Sequence, residues 1–201
     1  MGEVSIDERN QALARLALER LGARGVSAAG GGPVGGEWLD RETIRAARLP
    51  ARSEVLSRNG IRVVLDGAHV PASVRDVLRD LGARGAPHVP HIDGSPRHPL
   101  VVVLGAARNK DLVGMLKALR GPADRLVCTS LGGDLHFTGE EIAGVAAGLD
   151  LAAETAATPG DALDRACSLA AGGGGWVLVI GSLWLAGALR PTLTQSEVAR
   201  P

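Results

Sequence analysis

At 201 residues the chain has room for one full domain and an appendage. Lysine plus arginine and aspartate plus glutamate balance at 22 each, which argues against a basic nucleic-acid face and against an acidic tract for a basic partner. Aromatics make up 2%, with tyrosine absent and Phe137 the single phenylalanine, so stacking platforms for single strands are missing and the core falls to Val, Leu, Ile and Ala.

Cys128 and Cys167 stand apart without C-x-x-C spacing and read as buried thiols of a reducing compartment. MGEVSIDERNQ at the start has no apolar core of a secretion signal. The most apolar stretch, Trp176–Leu189, is too short to span a bilayer and reads as a strand running into a helix. The expectation is a cytoplasmic protein with no membrane and no nucleic-acid partner.

In chain order, Leu13, Leu16, Ala17 and Leu21 recur at helical spacing over Asp7–Leu21, with Gly22 as a stop. Residues 25–37, rich in Gly, Ala and Ser, read as a flexible linker between a first piece (1–24) and the main domain (38–201). A short helix is expected over Leu39–Ala47, and Ser53–Leu56 leads into a strand at Ile61. Pro71–Leu81 turns Val74, Val77, Leu78 and Leu81 to one helix face. Leu100–Leu104 is a strand apolar on both faces. A helix over Lys110–Leu119, a strand at Arg125–Thr129 and a helix opened by the capping box Thr138–Gly139–Glu140–Glu141 follow. A weak strand at Leu151–Thr155, a helix started by Thr158–Pro159–Gly160–Asp161, the strand Trp176–Ile180 and the helix Ser182–Leu189 complete the chain. Strands alternating with amphipathic helices predict an α/β fold, a Rossmann-like, mostly parallel sheet with helices on both faces.

No G-x-x-x-x-G-K-[ST] loop occurs in these residues. Gly30–Gly35 spells G-x-G-x-x-G but follows no strand and opens no convincing helix, so its amides would not converge on a pyrophosphate. His88 and His91, with Asp93 and His98, have the residue types of a metal site but sit in a proline-rich loop and read as loop histidines. Asp134 and His136 flank a Gly-Gly turn after the third expected strand, with nothing to specify a role.

The stretch IRVVLDGAHVP (61–71) stands out: a buried strand ending in a turn with Asp66 and His69. In open α/β sheets ligands sit at such carboxyl ends. Two readings stay open from the residues alone. Asp66 accepts a ribose hydroxyl or an amine while His69 donates to a carboxylate or phosphate, or Asp66 caps turn amides while His69 faces solvent.

Taken in order, LPARSEVL resembles W-P-G-R-x-E-V-L, VVLDGAHVP resembles L-D-G-A-H-N-P, VVVLGAARNKD resembles F-G-x-x-x-D-K-D, and VLVIGSLWLAG resembles V-x-G-S-L-Y-L-x-G. These are motifs of the C-terminal domain of the folylpolyglutamate synthase and dihydrofolate synthase family, a branch of the Mur ligases. NQALARLAL (10–18) is similar to the helix that closes that family's central domain. The resemblance implies a Mur ligase C-terminal fold and an ATP-dependent ligase that joins glutamate to a folate or pteroate carboxylate through an acyl phosphate. It implies nucleotide contacts at Asn10, Arg52 and Asp66, and contacts with the incoming glutamate at His69 and Ser182, with no catalytic or metal-binding residue among them.

ATP and Mg are the implied cofactors, yet the phosphate loop and metal ligands belong to a domain these residues lack. The expectation is therefore a ligase domain inactive alone, half of a split enzyme or a fragment, whose partner is a separate P-loop chain. The alternative is a non-catalytic module that binds a nucleotide or glutamate. Val70 replaces the Asn of L-D-G-A-H-N-P at the N-cap before Pro71, and Asn109 replaces the first Asp of D-K-D, where it is expected to cap the following helix.

Overall fold

A computed structural model describes residues 6–83 and 99–198. The loop histidines 88, 91 and 98 and Asp93 lie outside the described residues. Contacts divide the chain into two compact units, Met1–Pro50 and Ala51–Pro201.

The first unit is built on helix α1 (Ile6–Ala23), which continues through Gly22. The Gly-rich stretch after it is hydrogen-bonded chain: Val26 donates to the Leu21 carbonyl, Val34 to that of Val26, and Ser27 pairs with Pro33. Arg15 on α1 donates to the carbonyls of Gly36 and Leu39, so one guanidinium ties this segment back to the helix. Asp40 caps helix α2 (Arg41–Ala46) by accepting the Thr43 amide. Leu13 and Leu16 of α1 are 59% and 48% exposed, so the expected inward face of this helix has no cover among the described residues.

The second unit is a six-stranded sheet in the order β1-β2-β6-β3-β4-β5. Strands β2 (Ile61–Leu65), β6 (Trp176–Ile180), β3 (Leu100–Leu104), β4 (Arg125–Cys128) and β5 (Ala153–Thr155) run parallel. Strand β1 (Glu54–Arg58) pairs antiparallel with β2, its Arg58 opposite Ile61. What reads in sequence as a lead-in is thus an edge strand. Asn59 and Gly60, at φ of 52° and 81°, form the two-residue turn, the left-handed pair of a type I′ hairpin.

Side chains alternate between two apolar layers, because successive strand residues face opposite ways. Val64, Val102, Leu104 and Leu178 meet α3 (Pro71–Ala83), α4 (Leu112–Leu119) and α5 (Gly139–Ala147) on one face. Val63, Leu65, Val103 and Val179 meet α6 (Pro159–Ala171) and α7 (Leu183–Val198) on the other. All five residues of β3 are buried, as its unbroken apolar run predicts. Both cysteines are free and buried.

Helix starts follow the capping signals with one correction. Thr138 and Glu141 form the expected capping box, and Thr158 accepts the Asp161 amide at the head of α6. Helix α4, however, begins at Leu112, capped by Asp111, whose Oδ1 accepts the Gly114 amide at 2.8 Å. Asn109 is therefore not the cap; an Asp closer to the apolar periodicity takes that role. Helix α7 also passes the expected end at Leu189 and runs through Pro191, because Leu193 beyond it is fully buried against the sheet.

Candidate functional site

Strand β6 lies between β2 and β3, so the chain departs from the β2 side, crosses to β3 and later returns between them. The carboxyl ends of these parallel strands open at that switch of direction, the place where open α/β sheets bind ligands. The β1–β2 hairpin brings the loop before β1 to the same end, since Glu54 pairs with Leu65.

Asp66, one residue past β2, is 5% exposed. Its Oδ2 accepts the Ser53 amide at 2.7 Å and the Ser53 hydroxyl at 3.2 Å, and its Oδ1 accepts the Ala68 amide at 2.7 Å. The carboxylate thus holds two turns together, its own and the one before β1. In that second turn Ala51 and Ser53 sit at φ of 56° and 46°, a backbone region uncommon for residues with a Cβ. Arg52 lies between them, exposed and without a hydrogen bond or ion pair to any described residue. Asn10 is an exposed residue of α1 in the first unit.

His69 is half-buried, and its Nδ1 donates to the Gly67 carbonyl at 2.8 Å, since a carbonyl can only accept. That anchor leaves Nε2 as the free nitrogen. Ser182, 6% exposed, precedes α7, and its Oγ accepts the Trp184 amide at 3.1 Å, leaving the hydroxyl proton to donate elsewhere. Two glycines allow this assembly. A Cβ on Gly67 would run into Leu183 at the head of α7. Gly181, at φ 102°, lies where a Cβ would come within 2.6 Å of the Gly105 carbonyl.

His69 and Ser182 line a cavity of about 570 Å³. Its other walls come from the loops after β3 and β4, which zip together: Arg108 donates its amide to the Leu135 carbonyl at 2.9 Å and Phe137 to that of Ala106 at 3.0 Å. Those loops bring in Asn109, Lys110, Asp134 and His136, with Trp184 from α7. Arg108 also lines the cavity, but its charge is engaged by Glu141 at 2.8 Å and its guanidinium lies over Phe137. The Thr138 amide, and then Arg108, hold the Glu141 carboxyl below its usual range. Lys110 is half-buried and makes no ion pair with any described residue.

Of the residues expected from sequence, His69 and Ser182 share this cavity, whereas Arg52 and Asp66 do not line it and stand together on the hairpin side. Lys110, Asp134 and His136 are polar lining residues of the cavity that sequence reading left without a role. Their one signal is position: each lies a few residues past the end of a parallel strand. Among the described residues, no group of His, Cys, Asp or Glu is arranged to hold a metal ion.

The Mur ligase, glutamate ligase domain matches residues 51–183, beginning at the same Ala51 that opens the second unit. The chain belongs to that family. Structurally it is similar to Escherichia coli FolC in complex with DHPP and ADP, at 23% identity over 94% of this chain and 39% of that one, with a TM-score of 0.69. It is similar also to Mycobacterium tuberculosis folylpolyglutamate synthase complexed with ADP, at 29% identity over 81% of this chain and 36% of that one, TM-score 0.62. For folylpolyglutamate synthase from Thermotoga maritima the identity is 24%, the coverage 94% and 38%, and the TM-score 0.62. The chain thus spans less than half the length of these synthases. A comparison with curated protein sequences found no significant match. This glutamate ligase domain has a six-stranded α/β fold and matches the C-terminal domain of the folylpolyglutamate synthase family.

Proposed function

We propose that this domain supplies the amino-acid side of an ATP-dependent ligase of the folylpolyglutamate or dihydrofolate synthase type, adding glutamate to a folate or pteroate carboxylate in concert with a P-loop domain carried elsewhere. The observation that supports this best is the cavity walled by His69 and Ser182 in a domain of the glutamate ligase family. In such a reaction the amine of glutamate attacks the carbonyl of an acyl phosphate, the new C–N bond forms and phosphate leaves. This chain's part is to bind and orient the amino acid. The helix N-terminus and hydroxyl at Ser182 favour a carboxylate, and the Nε2 of His69 receives a hydrogen-bonding group.

The residues fit a nucleotide in part. Arg52 offers a free guanidinium suited to phosphate, whereas Asp66 is already bound to three donors. Asp66 therefore serves the nucleotide side by holding the Arg52 loop. Asn10, in the first unit, is assigned a nucleotide contact only by its likeness to the Asn of the family's closing helix. Among the described residues no group of three or more His, Cys, Asp or Glu is arranged to hold a metal ion, and in this proposal the P-loop partner supplies the Mg ligands. The exposed leucines of α1 support a partner, since an apolar stripe left in water is the kind of surface another domain covers. Buried free thiols suit a reducing, cytoplasmic setting.

The test is complementation. The domain is mixed with the P-loop portion of a folylpolyglutamate synthase whose own C-terminal domain has been removed, and labelled glutamate incorporation is followed. The expected result is ATP-dependent ligation by the mixture and none by either part, reduced by His69→Ala and Ser182→Ala. Association without turnover, with glutamate or ADP still bound in calorimetry, would leave a non-catalytic binding module. No association, turnover or binding overturns the proposal.

A further inference from the structure

The geometry points to Arg190 of α7 as a positioning residue that keeps Arg52 open for a phosphate-bearing ligand, by occupying the carboxylate that would otherwise neutralise it. This rests on the reading of Arg52 as a phosphate contact, and it names the group on which that contact depends.

Arg52 stands in a turn whose flanks, Ala51 and Ser53, are both at positive φ, so the turn is held by its surroundings and not by its own preference. Two carboxylates hold it. Asp66 accepts the Ser53 amide on one side, and Glu54 folds back to accept the Ala51 amide at 3.0 Å on the other. The Gly67 amide closes the turn by donating to the Ala51 carbonyl at 2.9 Å. A guanidinium on a turn held by two carboxylates has two acceptors to hand, and charge favours pairing with one of them. Arg52 pairs with neither and stays exposed, without a hydrogen bond or ion pair to any described residue.

The reason lies in how the two carboxylates are filled. Asp66 is buried, and three donors take up both of its oxygens. Glu54 is nearer the surface, its side chain 21% exposed, so burial does not shield it. What fills it is Arg190, which donates Nε to the two oxygens at 3.1 and 3.0 Å and Nη2 to Oε1 at 2.9 Å. Two arginines thus compete for one acid. Arg190 holds it because α7 packs against β1 and presents the planar fork to both carboxylate oxygens at once. Without Arg190, Glu54 is an unpaired, partly buried carboxylate two residues from Arg52, and Arg52 is the cation left to it. The turn then carries a neutral pair where it now carries a free positive charge. One helix therefore serves both sides of the site, with Ser182 at its head in the cavity and Arg190 under the Arg52 turn.

The experiment follows the Arg52 Nε–H resonance of the ligand-free protein and its calorimetric titration with ADP, at low ionic strength, where exposed pairs are least screened. Arg190→Met removes the guanidinium and keeps an apolar stem, while Glu54→Gln keeps an acceptor for the Ala51 amide and removes the charge. Arg190→Met is expected to shift the Arg52 resonance and to weaken ADP about fivefold, the worth of one partly exposed ion pair. Adding Glu54→Gln to Arg190→Met is expected to return both readouts toward wild type, and Arg190→Lys to keep most of the wild-type behaviour. In an Arg52→Gln background, Arg190→Met is expected to leave ADP affinity unchanged, which a plain loss of positive charge would not do. An unmoved Arg52 resonance in Arg190→Met, no recovery on adding Glu54→Gln, or equal weakening of ADP by Arg190→Met with and without Arg52 overturns the inference. ADP bound by Arg52→Gln as tightly as by wild type, or by neither, while Arg190→Met still moves the Arg52 resonance, overturns instead the reading of Arg52 as a phosphate contact.

Discussion

Asp66 Oδ2 accepts the Ser53 amide at 2.7 Å, and this contact ties the turn after β2 to the turn before β1. The motif acid is a structural bracket whose product is the placement of Arg52. Replacing it with alanine leaves the Ser53 and Ala68 amides without acceptors in a buried setting. Asp66→Ala is expected to lower stability by about 3 kcal/mol, read as a shift in the urea midpoint at constant slope. If Asp66 instead contacted ligand alone, the midpoint would stay within experimental error while nucleotide binding fell.

The hairpin that makes this contact possible turns on Asn59 and Gly60. Gly60, at φ 81°, has open space where a Cβ would go, so the obstacle to substitution is backbone conformation and not crowding. Gly60→Val is expected to destabilise by about 1–2 kcal/mol in urea titration, as a β-branched residue is forced to positive φ. An unchanged midpoint would mean that the turn relaxes to another type without loss.

The same hairpin shows what was legible in the sequence. The central strands announce themselves by apolar runs such as Leu100–Leu104, and the helices by Thr138 and Thr158 caps, so the parallel core and its order with helices could be read directly. Strand β1 could not be read by period, because as an edge strand it has a single buried residue, Leu56, and its Val55 is 49% exposed. Its signal was the Asn-Gly pair. The motif residues His69 and Ser182 were legible as a pair of strand ends, since each follows a buried strand. The place of Lys110 and His136 in the cavity wall was not, because it comes from two loops zipped by backbone bonds between residues about 30 apart, which no local pattern encodes.

Glu54 carries a pH dependence. Arg190 of α7 binds it through both Nε and Nη2, at 2.9–3.1 Å, and this hydrogen bonding, opposed by burial and aided by the Ala51 amide, holds the Glu54 carboxyl below its usual 4.5. A group whose folded value is depressed contributes stability that is fully present above its unfolded value. That contribution is lost as pH falls from about the ordinary glutamate range through the depressed value. Glu54→Gln is therefore expected to flatten the acid side of the stability curve, with the two proteins converging at low pH. The curve is measured by urea midpoints across acidic pH; parallel curves would assign the acid limb to other carboxylates.

Val70 stands immediately before Pro71, and its carbonyl accepts the Val74 amide at 3.0 Å, which places it at the N-cap of α3. Its side chain is 38% exposed and offers no acceptor to the amides of the first turn. Asparagine is the residue that the L-D-G-A-H-N-P pattern has here, and at an N-cap its Oδ1 takes one of those amides. Val70→Asn is expected to stabilise the domain by about 1 kcal/mol, whereas Val70→Ala, which gains no acceptor, is expected to leave it near wild type. Because the exposed valine makes little of the core, the gain is not offset by lost packing. Thermal and urea midpoints check the stability. A Val70→Asn protein no more stable than Val70→Ala would show that the first-turn amides of α3 are already satisfied by water.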